Sequence, residues 1–316
     1  MNAVIEARDL TKRYGQATAV DGISFSVARG EIFGLLGPNG AGKTTTILMM
    51  LGLTDVSGGE VRVLGLDPAR EPLKVKARIG CLPDSVGFYD TMTAAENLAF
   101  TARLMGIERA ERHARIADAL GRVGLADVAN KRVATFSRGM RQRLGLGEIL
   151  MKKAEIAVLD EPTSGLDPQA TEELLDMIRG LKAAGVTVLI SSHLLERVQK
   201  VCDRVALFQG GKIALIGTVP ELAREVLGSG FAVEVEAEGT DLAEKLKAIP
   251  GVSAVAETGA NRFRMLADRD VRPEAAAAVV GAGGKLRQLA VDEPSLEAIY
   301  SRFFQKAGDG EARDAA

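Results

Sequence analysis

"GPNGAGKTT", residues 37–45, decides the fold. It completes the spacing GxxxxGK[ST], with the apolar run "EIFGLLG" before it and a helical pattern from Lys43 after it. The local order is therefore strand, glycine-rich loop, helix. The glycines let backbone N–H groups turn inward around phosphate oxygens, and the helix mouth adds its partial positive charge. In such a cradle Gly37, Pro38, Asn39, Gly40, Ala41 and Gly42 wrap the phosphates, with Thr45 following in the helix. Lys43 reaches the β- and γ-phosphates and Thr44 places its hydroxyl on Mg²⁺.

A second strand end should provide carboxylates, and "EIAVLDEP", residues 155–162, does so. Its continuous apolar run is that of a parallel strand buried on both faces. Asp160 at its end is placed to hold Mg²⁺ through water. Glu161 beside it is the group to orient or deprotonate an attacking water. His193 follows the next apolar strand, "VTVLIS" at 186–191. Strand ends in open α/β sheets gather at the ligand edge, which brings His193 toward the γ-phosphate.

Outward from these motifs, "VIEA" and "ISFSV" read as strands. Thr93 and Glu96 have capping-box spacing before "NLAFTARLMG", opening a helical insert over about 88–150. Pro168 starts a further helix with Leu174, Leu175, Ile178 and Leu181 on one face and Gly185 as its stop. "VALFQGGKIALIG" reads as a hairpin turning at Gly210 and Gly211. At "LGSG", 227–230, the texture changes: "FAVEVEAEG" and "NRFRMLA" are strand-like, "DLAEKLKAI" and "RPEAAAAVVGAGG" helical. The expected organisation is a domain over 1–227, a small α+β domain over 228–304 and a disordered tail at 305–316.

The chain has 316 residues, 40 basic against 42 acidic, and a formal charge of -2. That balance gives no global attraction to nucleic acid or to an anionic membrane, and no nucleic-acid partner is expected. Glu6, Arg8 and Asp9 interrupt the N-terminus, so it lacks the apolar stretch of a signal peptide. No segment approaches the roughly 20 apolar residues that span a bilayer. Work at a membrane would need another chain. Cys81 and Cys202, without a CxxC or Cys/His cluster, read as reduced core thiols.

Together, "GPNGAGKTT", "FSRGMRQRL", "AVLDEPTSGLDP" and "SSH", in that order, resemble the ATP-binding subunit of ABC transporters over roughly residues 1–225. The resemblance implies a P-loop NTPase (RecA-like) core with N-terminal antiparallel strands and a helical subdomain, within an α/β fold. It implies ATP and Mg²⁺ as ligands, Tyr14 stacking on adenine, and "SGLD", Ser164 to Asp167, crossing between paired subunits. Glu161 matches the catalytic carboxylate and His193 the switch histidine. "FSRGM" matches the signature that completes the opposite subunit's site. Ser137 as a helix cap and the free N–H groups near Gly139 form an anion site there, with Arg138 beside them.

Two departures stand out. Phe136, Arg138 and Met140 replace the signature's Leu, Gly and Gln. Asp84, in "GCLPDSVGFYD", stands where the family has Gln or Glu touching Mg²⁺. The ending "DEPSLEAIYSRFF" is similar to the close of the extension on ABC-2 exporter-type ATPases. The resemblance thus implies a dimerising ATPase that powers a separate multi-span permease from the cytoplasmic face, with docking around Phe88 and Tyr89. The competing reading is a soluble ABC ATPase acting on nucleic acid or ribosomes, which would bring a second cassette, coiled coils or a basic arm.

Overall fold

The run at 32–36 becomes the buried centre of a parallel sheet in the computed structural model, which describes residues 3–227, 231–292 and 295–303. The expected boundary at Gly228–Gly230 and the expected tail at 305–316 lie outside those residues. In chain order the first elements are β1 (Ala3–Tyr14), β2 (Ala17–Ala28), β3 (Ile32–Leu36), α1 (Lys43–Met50), β4 (Gly58–Val63), α2 (Pro72–Arg78) and β5 (Ile79–Leu82). The helical insert follows as α3 (Ala94–Leu104), α4 (Arg109–Arg122) and α5 (Arg138–Lys152). Then come β6 (Ile156–Asp160), α6 (Pro168–Ala183), β7 (Thr187–Ser192), α7 (Leu195–Gln199), β8 (Arg204–Gln209), β9 (Lys212–Gly217) and α8 (Val219–Leu227).

The main sheet has the order β5-β6-β7-β3-β8-β9. β5 with β6, β6 with β7, β7 with β3 and β3 with β8 all pair parallel. β3 and β7 are buried at every residue, as central parallel strands are. A second, antiparallel sheet runs β2-β1-β4. One core cluster joins the two sheets, with Leu10, Phe25, Phe33, Met50, Val63, Val158 and Phe208 among its members. Phe25 and Phe33 stack across it at 5.7 Å.

The capping box forms as spaced: the Thr93 hydroxyl accepts from Glu96 N at 3.2 Å, and Glu96 Oε2 accepts from Thr93 N at 2.8 Å. These bonds hold the Glu96 carboxyl below its ordinary pKa. The hairpin turns at Gly210 and Gly211, both at positive φ, between β8 and β9. β4, α2 and β5 were not evident in the pattern. β4 opens on two glycines that read as loop, and Arg78 of α2 passes straight into Ile79 of β5 without a breaking residue. The reading of both cysteines as reduced thiols holds, while a core place for Cys81 does not. Cys81 is exposed on β5, the edge strand of the main sheet, and Cys202 is half-buried; both are free.

By contact the chain separates after Ile216 into two units. The second contains β10 (Phe231–Glu238), α9 (Leu242–Lys247), β11 (Val252–Gly259), β12 (Arg262–Ala267), α10 (Arg272–Gly281) and β13 (Lys285–Asp292). Its sheet order, β11-β12-β10-β13, all antiparallel, is that of a ferredoxin-like split βαβ unit. Alternation along β10 explains the layer: Val233, Val235 and Ala237 join Leu246, Phe263, Met265, Ala275 and Val279 in a core of its own. Glu236 and Glu238 instead pair with Arg262 and Arg287 on the other face.

Candidate nucleotide site

Parallel pairing puts the C-terminal ends of β3, β5, β6 and β7 at one edge of the sheet, and each delivers a piece of the site there. From β3 the chain enters the loop 37–42. Gly37 has φ 147, and a Cβ on it would meet Phe208 O at 2.3 Å. Gly42 is the N-cap of α1 at φ 105, and a Cβ there would meet Ala19 O at 2.6 Å. Only glycine fits either place. No side chain caps α1, so its first N–H groups are left to an anion.

A cleft of about 400 Å³ opens over this mouth, lined by Ala19, Asn39, Gly40, Gly42, Lys43, Thr44, Thr45, Asp84, Asp160 and Glu161. The Lys43 ammonium, on a side chain 5% exposed, donates to Gly37 O at 2.7 Å and Pro38 O at 3.0 Å. It also lies 3.6 Å from Glu161 Oε1. Burial lowers its pKa, against the opposing pull of Glu161 and Asp160. Carbonyl oxygens thus hold the lysine where phosphate oxygens would replace them.

The Thr44 hydroxyl stands 3.2 Å from Asp160 Oδ2, and the Ser191 hydroxyl donates to Asp160 Oδ1. Ser191 was missed from the sequence, although its place in "SSH" at a strand end was a usable signal. Glu161 departs from β6 at φ 50, a left-handed conformation that is costly for a non-glycine residue. That turn points its carboxylate toward His193: Oε2 lies 2.8 Å from His193 Nδ1 and accepts from His193 N at 3.3 Å. Lys43, Glu161 and His193 therefore form one chain of polar contacts across β3, β6 and β7.

The donors fit Mg²⁺ brought with a nucleotide. Thr44 and Asp160 converge as hard oxygens, with Asp84 on the same cleft wall. Among the described residues no three His, Cys, Asp or Glu side chains form a metal cage. An ion that keeps its waters and takes phosphate oxygens needs none.

The other predicted residues lie outside the cleft lining. Ser137 caps α5 by accepting from Met140 N at 3.2 Å, and Asp167 caps α6 by accepting from Ala170 N at 2.9 Å. Arg138 pairs with Asp84 of its own chain at 2.8 Å, and its guanidinium lies against Gly165, where a Cβ would meet Cζ at 3.2 Å. The loop after β5, the mouth of α5 and the loop after β6 meet at this one side chain. Arg138 and Asp84 are 46% and 56% exposed. Cutting the pair with Arg138→Ala is therefore expected to change folding stability by no more than about 1 kcal/mol, read from urea unfolding. Lost ATPase activity in that variant would report on the site. Tyr14 ends β1 half exposed and pairs with Ala17, two residues before Ala19 of the cleft.

Fold and cleft define a P-loop nucleotide-binding protein. Residues 20–164 match the ABC transporter family. The linearmycin resistance ATP-binding protein LnrL of Bacillus subtilis (strain 168) is 36% identical over 303 residues, 94% of this chain and 97% of that protein. The daunorubicin resistance ATP-binding protein DrrA2 of Streptomyces coeruleorubidus is 31% identical over 318 residues, 99% and 98% of the two chains. A solved ATP-binding subunit of an ABC transporter superposes with a TM-score of 0.64 at 30% identity, covering 70% of this chain and 92% of that one. The chain belongs to the ATP-binding subunits of ABC transporters and is an ATP hydrolase. Among the described residues no helix is long and apolar enough to cross a membrane.

Proposed function

We propose that two copies of this chain close around two Mg·ATP, each held between one copy's cradle and the other's Ser137 and Gly139. The observation that carries this reading is that one chain has two helix mouths of this kind, α1 and α5, which meet only through the Arg138–Asp84 pair. The mouth of α1 opens on the cleft with Asp160 and Glu161, while the mouth of α5 is not among the residues lining it. Within the composite site, residues 37–45 wrap the phosphates, Lys43 neutralises the β- and γ-oxygens, and Tyr14 takes the adenine. Thr44, Asp160 and Asp84 hold Mg²⁺, which when bound withdraws charge from the transferring phosphoryl group. Glu161 accepts the proton of the attacking water, and His193, already on Glu161 Oε2, orients that carboxylate and the γ-phosphate. Asp167 and Arg138 contact the nucleotide of the second copy when the dimer closes, Arg138 leaving Asp84 to do so.

The functional division we propose is a nucleotide-binding domain over 1–227 with its helical insert at 88–150, and a small extension over 228–304. The segment around Phe88 and the exposed Tyr89 docks a multi-span permease, which places the chain on the cytoplasmic face of the membrane. Resistance proteins at 36% and 31% identity over nearly the whole chain support export of a small molecule rather than work on nucleic acid or ribosomes.

Mixing two inactive variants tests the composite site. A Cβ on Gly139 would meet Ala170 at 3.5 Å, an ordinary contact, and an acid in a first helical turn suits the helix. Gly139→Asp is therefore expected to fold yet repel a γ-phosphate. Alone, Gly139→Asp and Lys43→Ala should each lack ATPase activity. Mixed, they form heterodimers with one intact site, and activity should return. No recovery on mixing, with heterodimers demonstrated, would place the whole site in one chain.

A further inference from the structure

Lys12 takes no part in the site described above, yet it is the side chain against which Tyr14 rests. The two residues stand two apart on β1 and so share a face. The Lys12 ammonium lies 4.9 Å from the centroid of the Tyr14 ring, within cation–π range. The same ammonium donates to Asp55 O at 2.6 Å. Lys12 is 9% exposed, whereas Tyr14 is 50% exposed. One partner is thus fixed and interior, and the other offers open ring surface.

Asp55 belongs to the turn that follows α1, whose opposite end is the phosphate cradle. Two further bonds tie the end of β1 to this turn: Ser57 N to Thr11 O at 2.8 Å, and Arg13 N to the Ser57 hydroxyl at 2.9 Å. Lys12 therefore links the aromatic ring to the helix that binds phosphate.

We propose that Lys12 is a positioning residue for the nucleotide base: held by Asp55 O, its ammonium fixes the Tyr14 ring in place for a purine to stack on it. The inference rests on the reading of Tyr14 as the adenine platform. A ring already ordered loses less freedom when the base arrives, so the expected effect is on affinity for the base-bearing ligand.

The experiment is calorimetric titration of the full-length chain with Mg·ATP and, separately, with Mg·tripolyphosphate, which has no base. Lys12→Met keeps the apolar stem and removes the cation. It should raise the Kd for Mg·ATP about threefold to tenfold and leave that for Mg·tripolyphosphate unchanged. Lys12→Arg, which keeps a donor and a cation, should restore most of the ATP affinity. In a Tyr14→Ala background Lys12→Met should add nothing.

If Tyr14→Ala weakens Mg·ATP binding but Lys12→Met does not, the role of Lys12 is overturned while the platform stands. Equal weakening of Mg·ATP and Mg·tripolyphosphate by Lys12→Met also overturns it, because the effect would then pass through the cradle. If Tyr14→Ala leaves Mg·ATP binding intact, the adenine platform itself falls.

Discussion

Glu161→Gln is expected to lower ATP hydrolysis about 10²- to 10⁴-fold, the range for loss of a general base, while leaving ATP binding in place. The change keeps the size of the side chain and the backbone turn at φ 50 that aims it. An amide oxygen can still accept from His193 N, so the turn after β7 keeps its anchor. What disappears is the proton acceptor for the attacking water. It also removes a negative charge that stands 3.6 Å from Lys43 and would oppose an incoming γ-phosphate. Both effects favour a bound, unhydrolysed nucleotide, and the protein should accumulate as a dimer with Mg·ATP but not with Mg·ADP. Phosphate release and light scattering on the same sample check the two halves. Normal turnover would remove Glu161 from the chemistry. Lost turnover in a chain that stays monomeric with Mg·ATP bound would remove the composite site.

The parts of this molecule legible in the sequence are those whose chemistry needs contiguous residues. A phosphate cradle is built from successive N–H groups, so residues 37–45 announce both the loop and the strand and helix flanking it. Asp160 and Glu161 are legible because a strand buried on both faces must be apolar up to the point where it emerges. Long-range pairs left no such trace. Arg138 and Asp84 are 54 positions apart and exposed, and nothing in their local sequence couples them. The hold of Lys12 on Tyr14 depends on the carbonyl of Asp55, a group that every residue type carries. In the second unit β10 was legible from its alternation. β11 was not, because Ser253, Ala254, Ala256 and Glu257 are exposed and its apolar residues do not alternate.

Lys43→Met should remove most of the stabilisation of the chain by ATP without unfolding it. Methionine retains the apolar stem of a side chain that is only 5% exposed, so the packing of α1 on the core is kept. Two carbonyls, Gly37 O and Pro38 O, lose their donor and Glu161 Oε1 loses its counter-charge, while the protein no longer buries an ammonium, so the costs offset only in part. The melting temperature without nucleotide should therefore fall while the fold persists, and the shift on adding nucleotide is read against that lower baseline. Binding is another matter, because the charge-assisted bonds from Lys43 to phosphate are worth about 3 kcal/mol together, or about 10²-fold in Kd. At a ligand concentration 100 times the native Kd, linkage stabilises the native chain by about 2.7 kcal/mol. In the variant the same concentration is about equal to Kd, and the stabilisation shrinks to about 0.4 kcal/mol. A thermal-shift titration with Mg·ATP reads that difference directly. An unchanged shift would mean that the ammonium stays on Gly37 O and Pro38 O when nucleotide is bound, and that the N–H groups of the cradle carry the phosphates alone.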